Sequence, residues 1–268
     1  MSRIIRATKY LFLSVIAFLS LFPFFWMLNS ATNSSVDILT GTLLPGNHLG
    51  ENYQTLLANT NLIQALWNSF RNAVVATIAS LIVCSIAGYG FEIYHDRVKD
   101  RLMVILLLSM MVPFAVIMIP LFMMIGKANL MNTTTAFILP TISTAFLIFL
   151  FRQSTRGFPS EIIEAARIEG MGELGIFIKM YMPIMRSTYA AAAVITFMSA
   201  WNSYLWPLII MQKEASKTMP LLIANLISGY VIDYGVLMLA VTISILPTVI
   251  IFLILQKNFA EGIITSIK

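Results

Sequence analysis

Charge is scarce in this chain. Asp, Glu, Lys and Arg make up 11% of its 268 residues and hydrophobic side chains 59%, with a mean hydropathy of +0.86, whereas soluble domains carry about a quarter charged residues. That composition excludes a water-soluble globule. Histidine is rarer still: His48 and His95 stand in separate loops, and no histidine accompanies a carboxylate inside an apolar block. The paired ligands of an intramembrane metalloprotease are therefore missing, and neither a catalytic residue nor a metal site is expected. The lone cysteine, Cys84, sits within the apolar run 73–91, so no disulfide can form inside the chain and the thiol reads as a small packing residue. No apolar block has an Asp, Glu, Lys or Arg at its centre. Such groups are costly at mid-membrane and are kept there for function, so their absence argues against a proton- or sodium-coupled carrier. Nucleic acid is not an expected partner either, because the 17 basic residues behind the +5 net charge are scattered and form no patch.

What is abundant is apolar sequence in long runs. Blocks at 10–28, 72–91, 102–125, 136–151, 187–211 and 236–255 approach the ~20 residues needed to cross a bilayer. The expectation is an all-α integral membrane fold with six transmembrane helices. The first block follows Arg3, Arg6 and Lys9 as a secretory signal would, but it exceeds the roughly 7–15 residues of a signal's apolar region and is read as an uncleaved span. Thirteen basic residues fall on the side of the termini: Arg3, Arg6, Lys9, Arg97, Lys99, Arg101, Arg152, Arg156, Arg167, Lys179, Arg186, Lys257 and Lys268. Three, Lys127, Lys213 and Lys217, fall in the alternate loops, and Arg71 can snorkel from the outer end of the second span. Both termini are thus expected in the cytoplasm.

Pro23, Pro113, Pro120, Pro140, Pro207 and Pro247 lie in or at the ends of these spans and predict kinks. Between the first two spans, Tyr53, Leu56, Leu57, Ile63, Leu66 and Trp67 recur at near-helical spacing, which predicts a short amphipathic helix resting on the bundle. The chain divides into 1–66, the first span with its outer loop, and 67–268, a five-helix core.

Two motifs are decoys. Residues 170–175 match G-x-G-x-x-G letter for letter, but a helical segment precedes them where the dinucleotide fingerprint requires a strand. Gly41 and Gly46 have Walker A spacing, yet Asn47 and His48 replace the phosphate-binding lysine and the magnesium-binding hydroxyl. No ATP site is expected in this chain. The energy for transport must come from outside the bilayer, and a soluble motor needs a place to push.

The polar stretch 152–186 offers one. Phe158-Pro159-Ser160 stops the preceding segment, Glu161 lies in the first turn of a helix over 161–169, and Gly170 ends it. Ala165 and Ala166 leave a low surface on which another protein can close, and a second short helix over 174–182 should stop at Pro183. From the residues alone, a plain amphipathic loop accounts for this stretch as well as a docking element does. The spacing adds more. Glu164-Ala165-Ala166, then Gly170 three residues on, then Met180-x-Met182-Pro183 after nine more, resembles the EAA motif, E-A-A-x3-G-x9-I-x-L-P, of permeases from binding-protein-dependent ABC importers. Methionines replace the usual Ile and Leu, a soft apolar exchange, and Glu169 replaces a common Asp. The resemblance runs from about Asn68 to the carboxyl terminus. Asn68-Ser69, Asn129-Leu130-Met131-Asn132-Thr133 before Ile138-Leu139-Pro140, the 201–207 cluster from Trp201 to Pro207, and the 256–262 segment are similar to the carbohydrate branch, in particular to its MalG-like subunits.

That resemblance implies a second MalF- or MalG-type permease as partner, two ATPase subunits carrying ATP and Mg, and an extracytoplasmic sugar-binding protein, with no cofactor in this chain. It makes the 158–183 loop a coupling helix, with contacts at Glu161, Glu164, Ala165, Ala166, Gly170 and Pro183. It suggests a sugar path through Thr141, Ser143, Thr144, Trp201, Asn202 and Tyr204, although aromatics at span ends also serve as interface anchors and membrane Ser and Thr also bond their own helix. It further suggests that Pro220, Leu221, Leu222 and Ile223, in the loop 212–234, reach the binding protein, a short interfacial helix being the other reading. Importers of a phosphorylated polyol or another small polar nutrient remain open, as does a proton-coupled secondary carrier, which would work without an ATPase.

Overall fold

The computed structural model describes residues 3–265. Lys268 lies outside the described residues, as do the side chains of Arg3 and of the 257–262 segment. Every regular element among the described residues is helical. In chain order these are α1 (Arg3–Ser30), α2 (Ser35–Leu39), α3 (Leu49–Asn59), α4 (Leu62–Ile93), α5 (Arg97–Ser109), α6 (Phe114–Lys127), α7 (Thr134–Ile138), α8 (Ala145–Thr155), α9 (Ser160–Ile168), α10 (Glu173–Ile176), α11 (Met182–Ile184), α12 (Arg186–Trp201), α13 (Leu205–Ile210), α14 (Met219–Ile227) and α15 (Tyr234–Thr265). They form two compact units, Met1–Ile63 with Met219–Leu246, and Gln64–Thr218 with Pro247–Lys268. The division expected after residue 66 is therefore crossed, because α14 and the first part of α15 join the first unit.

In the first unit, α1 exposes apolar side chains on every face, as a helix solvated by lipid does. Beyond it the chain turns on buried amides. Asn33 donates to Leu44 O at 3.1 Å, and Asn52 donates to Ala31 O and Asn33 O, both at 3.0 Å. Ser34 and Asp37 cap α2 reciprocally. The one amphipathic helix expected over 53–67 is two pieces, since extended backbone at Thr60 ends α3 and residues from Leu62 onward open α4.

Among the described residues, three helices are long and apolar enough to cross a membrane: Thr8–Ser30, Leu62–Ile93 and Tyr234–Ile254. The other three apolar blocks are broken. The block 102–125 bends by 97° between α5 and α6, where Pro113 caps α6 and can supply no N–H to a continuous helix. The block 136–151 is interrupted between α7 and α8 beside Pro140, and 187–211 between α12 and α13 at Asn202–Tyr204. The 11-residue α8 spans about 16 Å, half of a hydrocarbon core of ~30 Å. Of the six prolines expected to kink spans, Pro113 and Pro140 stand at breaks, Pro207 lies in α13 just after one, and Pro23, Pro120 and Pro247 lie inside continuous helices.

In the second unit α4 and α8 pack at close range. A Cβ on Gly88 would lie 2.5 Å from Phe151 Cβ and 2.8 Å from the Arg152 nitrogen, so only glycine admits this approach. Below the contact, Arg152 is 5% exposed and donates to Glu92 at 3.0 Å and to Asp100 at 2.5 Å, tying α8 to the end of α4 and the start of α5. His95 pairs with the same Asp100 at 3.0 Å, and Arg156 reaches Glu92 at 3.4 Å.

Candidate functional site

The 158–183 loop folds as a small module. Pro159 caps α9, with Glu161 in its first turn. At the other end the Gly170 N–H bonds Arg167 O at 3.0 Å and the Met171 N–H bonds Ala166 O at 2.9 Å, with Gly170 at φ +79°. This is the paired-bond terminus that needs a left-handed residue, the reason a glycine stands there. Ile163, at 2% exposure, and Ala166, at 4%, turn inward onto Phe158, Ile176, Phe177 and Tyr181. Tyr181 completes this base through a 2.7 Å hydrogen bond with Thr155, whose own proton goes to Phe151 O.

The outward face carries Glu161, Glu164, Ala165 and Gly170. Of the two alanines expected to take a partner, only Ala165 offers surface, while Ala166 fills the core. Ile168 was not flagged by the sequence, yet it is 87% exposed, with Leu174 also bare across the turn. A signal was present: an isoleucine beside Arg167, out of step with the buried Ile163 and Ala166. Arg167 closes the turn, bonding Glu173 at 2.7 Å with its guanidinium 5.9 Å above the Tyr94 ring. This bond, with help from Tyr94, holds the Glu173 carboxyl below its usual range, and Glu173 in turn pushes the Tyr94 phenol up.

Pro183 does not stop the second helix. The backbone runs helically from α10 through a π turn at Phe177–Tyr181 into α11. The Met182 N–H reaches back five residues to Phe177 O, and this wider turn gives the proline ring room that an α-turn would deny it. Pro183 is exposed.

A cavity of about 590 Å³ opens between the α7–α8 break and the α12–α13 break. Thr141, Thr144, Asn202 and Tyr204 line it as the sequence grouped them. Trp201 does not, because its ring is buried and stacks on Phe197 at 5.8 Å, and Ser143 is not among the lining residues. Trp206 takes the aromatic place instead. Its indole N–H bonds Ala136 O at 3.0 Å and its ring meets Phe114 edge-on at 6.0 Å. Before the cavity, Asn129 ends α6 with φ 55°, the Asn129 N–H bonding Gly126 O and the Leu130 N–H bonding Ile125 O. Asn132, at φ 64°, accepts from Lys213 N and Ser216 Oγ. Both asparagines stand where short polar side chains tolerate left-handed backbone.

In the loop 212–234, Leu221 and Leu222 are buried in the first unit, with Pro220 and Ile223 half-buried on α14. The barest apolar residues of this loop are Tyr230 and Val231, seven or more positions further on, with Ile227 exposed between.

Residues 86–265 match the family described as "Binding-protein-dependent transport system inner membrane component". The chain is 44% identical to the lactose transport system permease protein LacG of Rhizobium radiobacter, over 97% of this chain and 95% of that protein. It is 33% identical to the arabinooligosaccharides transport system permease protein AraQ of Bacillus subtilis, over 96% and 94%. In fold it is similar to a chain from the crystal structure of a bacterial ABC transporter involved in the import of the acidic polysaccharide alginate, with a TM-score of 0.85 at 22% identity, covering 97% of this chain and 99% of that one. On the extent of these matches the chain belongs to the binding-protein-dependent transport system inner membrane components.

Proposed function

We propose that this chain is one of two permease subunits in an ATP-driven importer of sugars, di- or oligosaccharides in particular. It forms half of the translocation path and holds no cofactor of its own, ATP and Mg residing on two partner ATPase subunits. An extracytoplasmic binding protein delivers the sugar. In this reading each broken pair, α5 with α6, α7 with α8 and α12 with α13, is one crossing. With α1, α4 and α15 they make six, and both termini lie in the cytoplasm.

The observation that carries the reading is the α9 module. A helix whose inner face is fully spent on packing still holds Glu164, Ala165 and Ile168 outward, and a large exposed apolar side chain on a rigid base is what a docking partner covers. Closure of an ATPase dimer on that base moves α9 as a body. Through the α4 and α8 contacts of the same unit, the push reaches the helices lining the cavity. The sugar class rests on the likeness to the lactose and arabinooligosaccharide permeases.

The test is reconstitution. The chain is coexpressed with a partner permease, an ATPase and a sugar-binding protein from the same organism, purified through a tag on this chain, and placed in vesicles. Retention of the ATPase and sugar-stimulated ATP hydrolysis are expected. Uptake by this chain without any ATPase would instead establish the secondary-carrier reading.

A further inference from the structure

The two ends of α4 treat their charges differently. Between Arg71 and Glu92 lie 20 residues without Asp, Glu, Lys or Arg, a helical length of about 30 Å and so the thickness of a hydrocarbon core. The two charged residues therefore mark its edges. Glu92 is answered within the protein, by Arg152 at 3.0 Å and Arg156 at 3.4 Å. Arg71 is half-buried and forms no ion pair with any described residue. Its guanidinium makes one 3.4 Å bond, to Asn68 Oδ1, and its Nε is buried without an acceptor. Asn68 is itself committed, donating to Ala215 O and Lys217 O at 2.9 Å and accepting from Gln64 at 3.3 Å. The one carboxylate of the loop it holds, Glu214, is paired with Lys217. The amide nitrogen of Asn72 and the hydroxyl of Thr218, both on buried residues, also lack partners among the described residues. The deficit at this end of α4 is thus one of acceptors, beside a cation.

We infer that Arg71 binds the phosphate of a membrane phospholipid, at a site formed with Trp67 and Phe70 where α4 leaves the hydrocarbon. The inference goes beyond sugar transport and needs only that α4 crosses the bilayer. At the hydrocarbon's edge a long basic side chain reaches the headgroup layer, and the forked donors of a guanidinium match two phosphate oxygens at once. The flanking residues fit that depth. Trp67 is exposed on the same stripe of the helix as Arg71, its ring 6.5 Å from that of the exposed Phe70, and tryptophan gathers at the membrane–water boundary. One and two turns further into the span, Val75 and Ile78 are bare beside this stripe, a surface for the acyl chains of the same lipid. A carboxylate from a partner protein would answer the charge but not the depth or these apolar neighbours.

The full transporter complex is placed in nanodiscs doped with one of two probes, a phosphatidylglycerol or a diacylglycerol with the same chains, each carrying a diazirine near the glycerol end of one chain. After irradiation the labelled peptides are mapped by mass spectrometry. The phosphatidylglycerol probe is expected to label the 67–78 segment at least fivefold more than the diacylglycerol probe. Arg71→Gln should remove that excess and Arg71→Lys should keep at least half of it, while labelling of α1, whose faces all meet lipid, stays unchanged in both variants. Equal labelling of 67–78 by the two probes in the wild type, as a partner carboxylate on Arg71 would give, would overturn the inference, and so would an excess indifferent to Arg71→Gln. Full competition by millimolar inorganic phosphate would also overturn it, by making the site one for a free anion.

Discussion

Two glycines do opposite work in this chain, and substitution separates them. At Gly170 a built Cβ meets nothing within 4 Å, but φ is +79°, so the cost of a side chain lies wholly in the backbone. Gly170→Val should add about 1–2 kcal/mol of local strain and release the end of α9, giving a folded permease that loses ATPase on purification. Gly170→Asn should retain the ATPase, because asparagine tolerates left-handed backbone, and the two copurification yields check the pair. At Gly88 the backbone is helical and the neighbours leave no room. Gly88→Ala should drive α4 and α8 apart at about 1–3 kcal/mol, the range for overpacking, seen as a lower unfolding temperature in detergent. Equal melting of Gly88→Ala and wild type would mean that the helices part freely. Gly170 was legible in the sequence because it follows a helical pattern at a fixed offset. Gly88 was not, since its need arises from a backbone some sixty positions away and no local pattern marks it.

The α4, α5 and α8 ends are held by a charge cluster, and its members were counted in the sequence only as topology markers. Arg152 is buried, and burial alone would lower its pKa, but the Asp100 and Glu92 carboxylates outweigh burial and hold it above its usual value. The Arg152 hydrogen bond in turn holds Asp100 below the usual carboxylate range. A carboxyl depressed in the folded state stabilises above its unfolded pKa of ~3.9 and loses that contribution as pH falls through the still lower folded value. The Asp100–Arg152 bond should therefore keep its full contribution at pH 5 and above and lose it only on further acidification. Arg152→Gln should cost about 3 kcal/mol, the low end for removing one partner of a buried pair, because Glu92 and Asp100 retain some access to water. Thermal unfolding at pH 7 in detergent checks the value, and an unchanged midpoint would make the cluster ornamental. The helices themselves were legible from apolar run length and the α9 terminus from its glycine. The three breaks were not, because a proline in a span reads the same whether neighbours rescue a kinked helix or let it part. Ala166 was misread for a similar reason: within a helix, which alanine faces inward depends on the surface it meets.

Across the whole chain, the proposed six-crossing arrangement takes its orientation from the thirteen-to-three asymmetry of basic residues, by which both termini and the α9 module would lie on the cytoplasmic side. By the same count the 29–66 stretch and the 212–234 loop would lie outside. Labelling with a membrane-impermeant maleimide in intact cells tests this with little background, since the native Cys84 is fully buried. Positions must tolerate the thiol. Gly46 does not, because a Cβ there would lie 2.2 Å from Asn33 Oδ1, whereas Leu44 is exposed and Gly172 has open space around it. Leu44→Cys and Ala215→Cys should label in intact cells, and Gly172→Cys only after the membrane is opened. If the three broken blocks were re-entrant loops, α4 would still carry the chain back across. However, an even number of crossings between Leu44 and Ala215 would no longer be guaranteed, and the two outer positions would part company. Labelling of Gly172→Cys from outside would reverse the orientation and remove α9 from any cytoplasmic ATPase. Labelling of Leu44→Cys without Ala215→Cys would keep the coupling module in place and reduce the number of crossings after it.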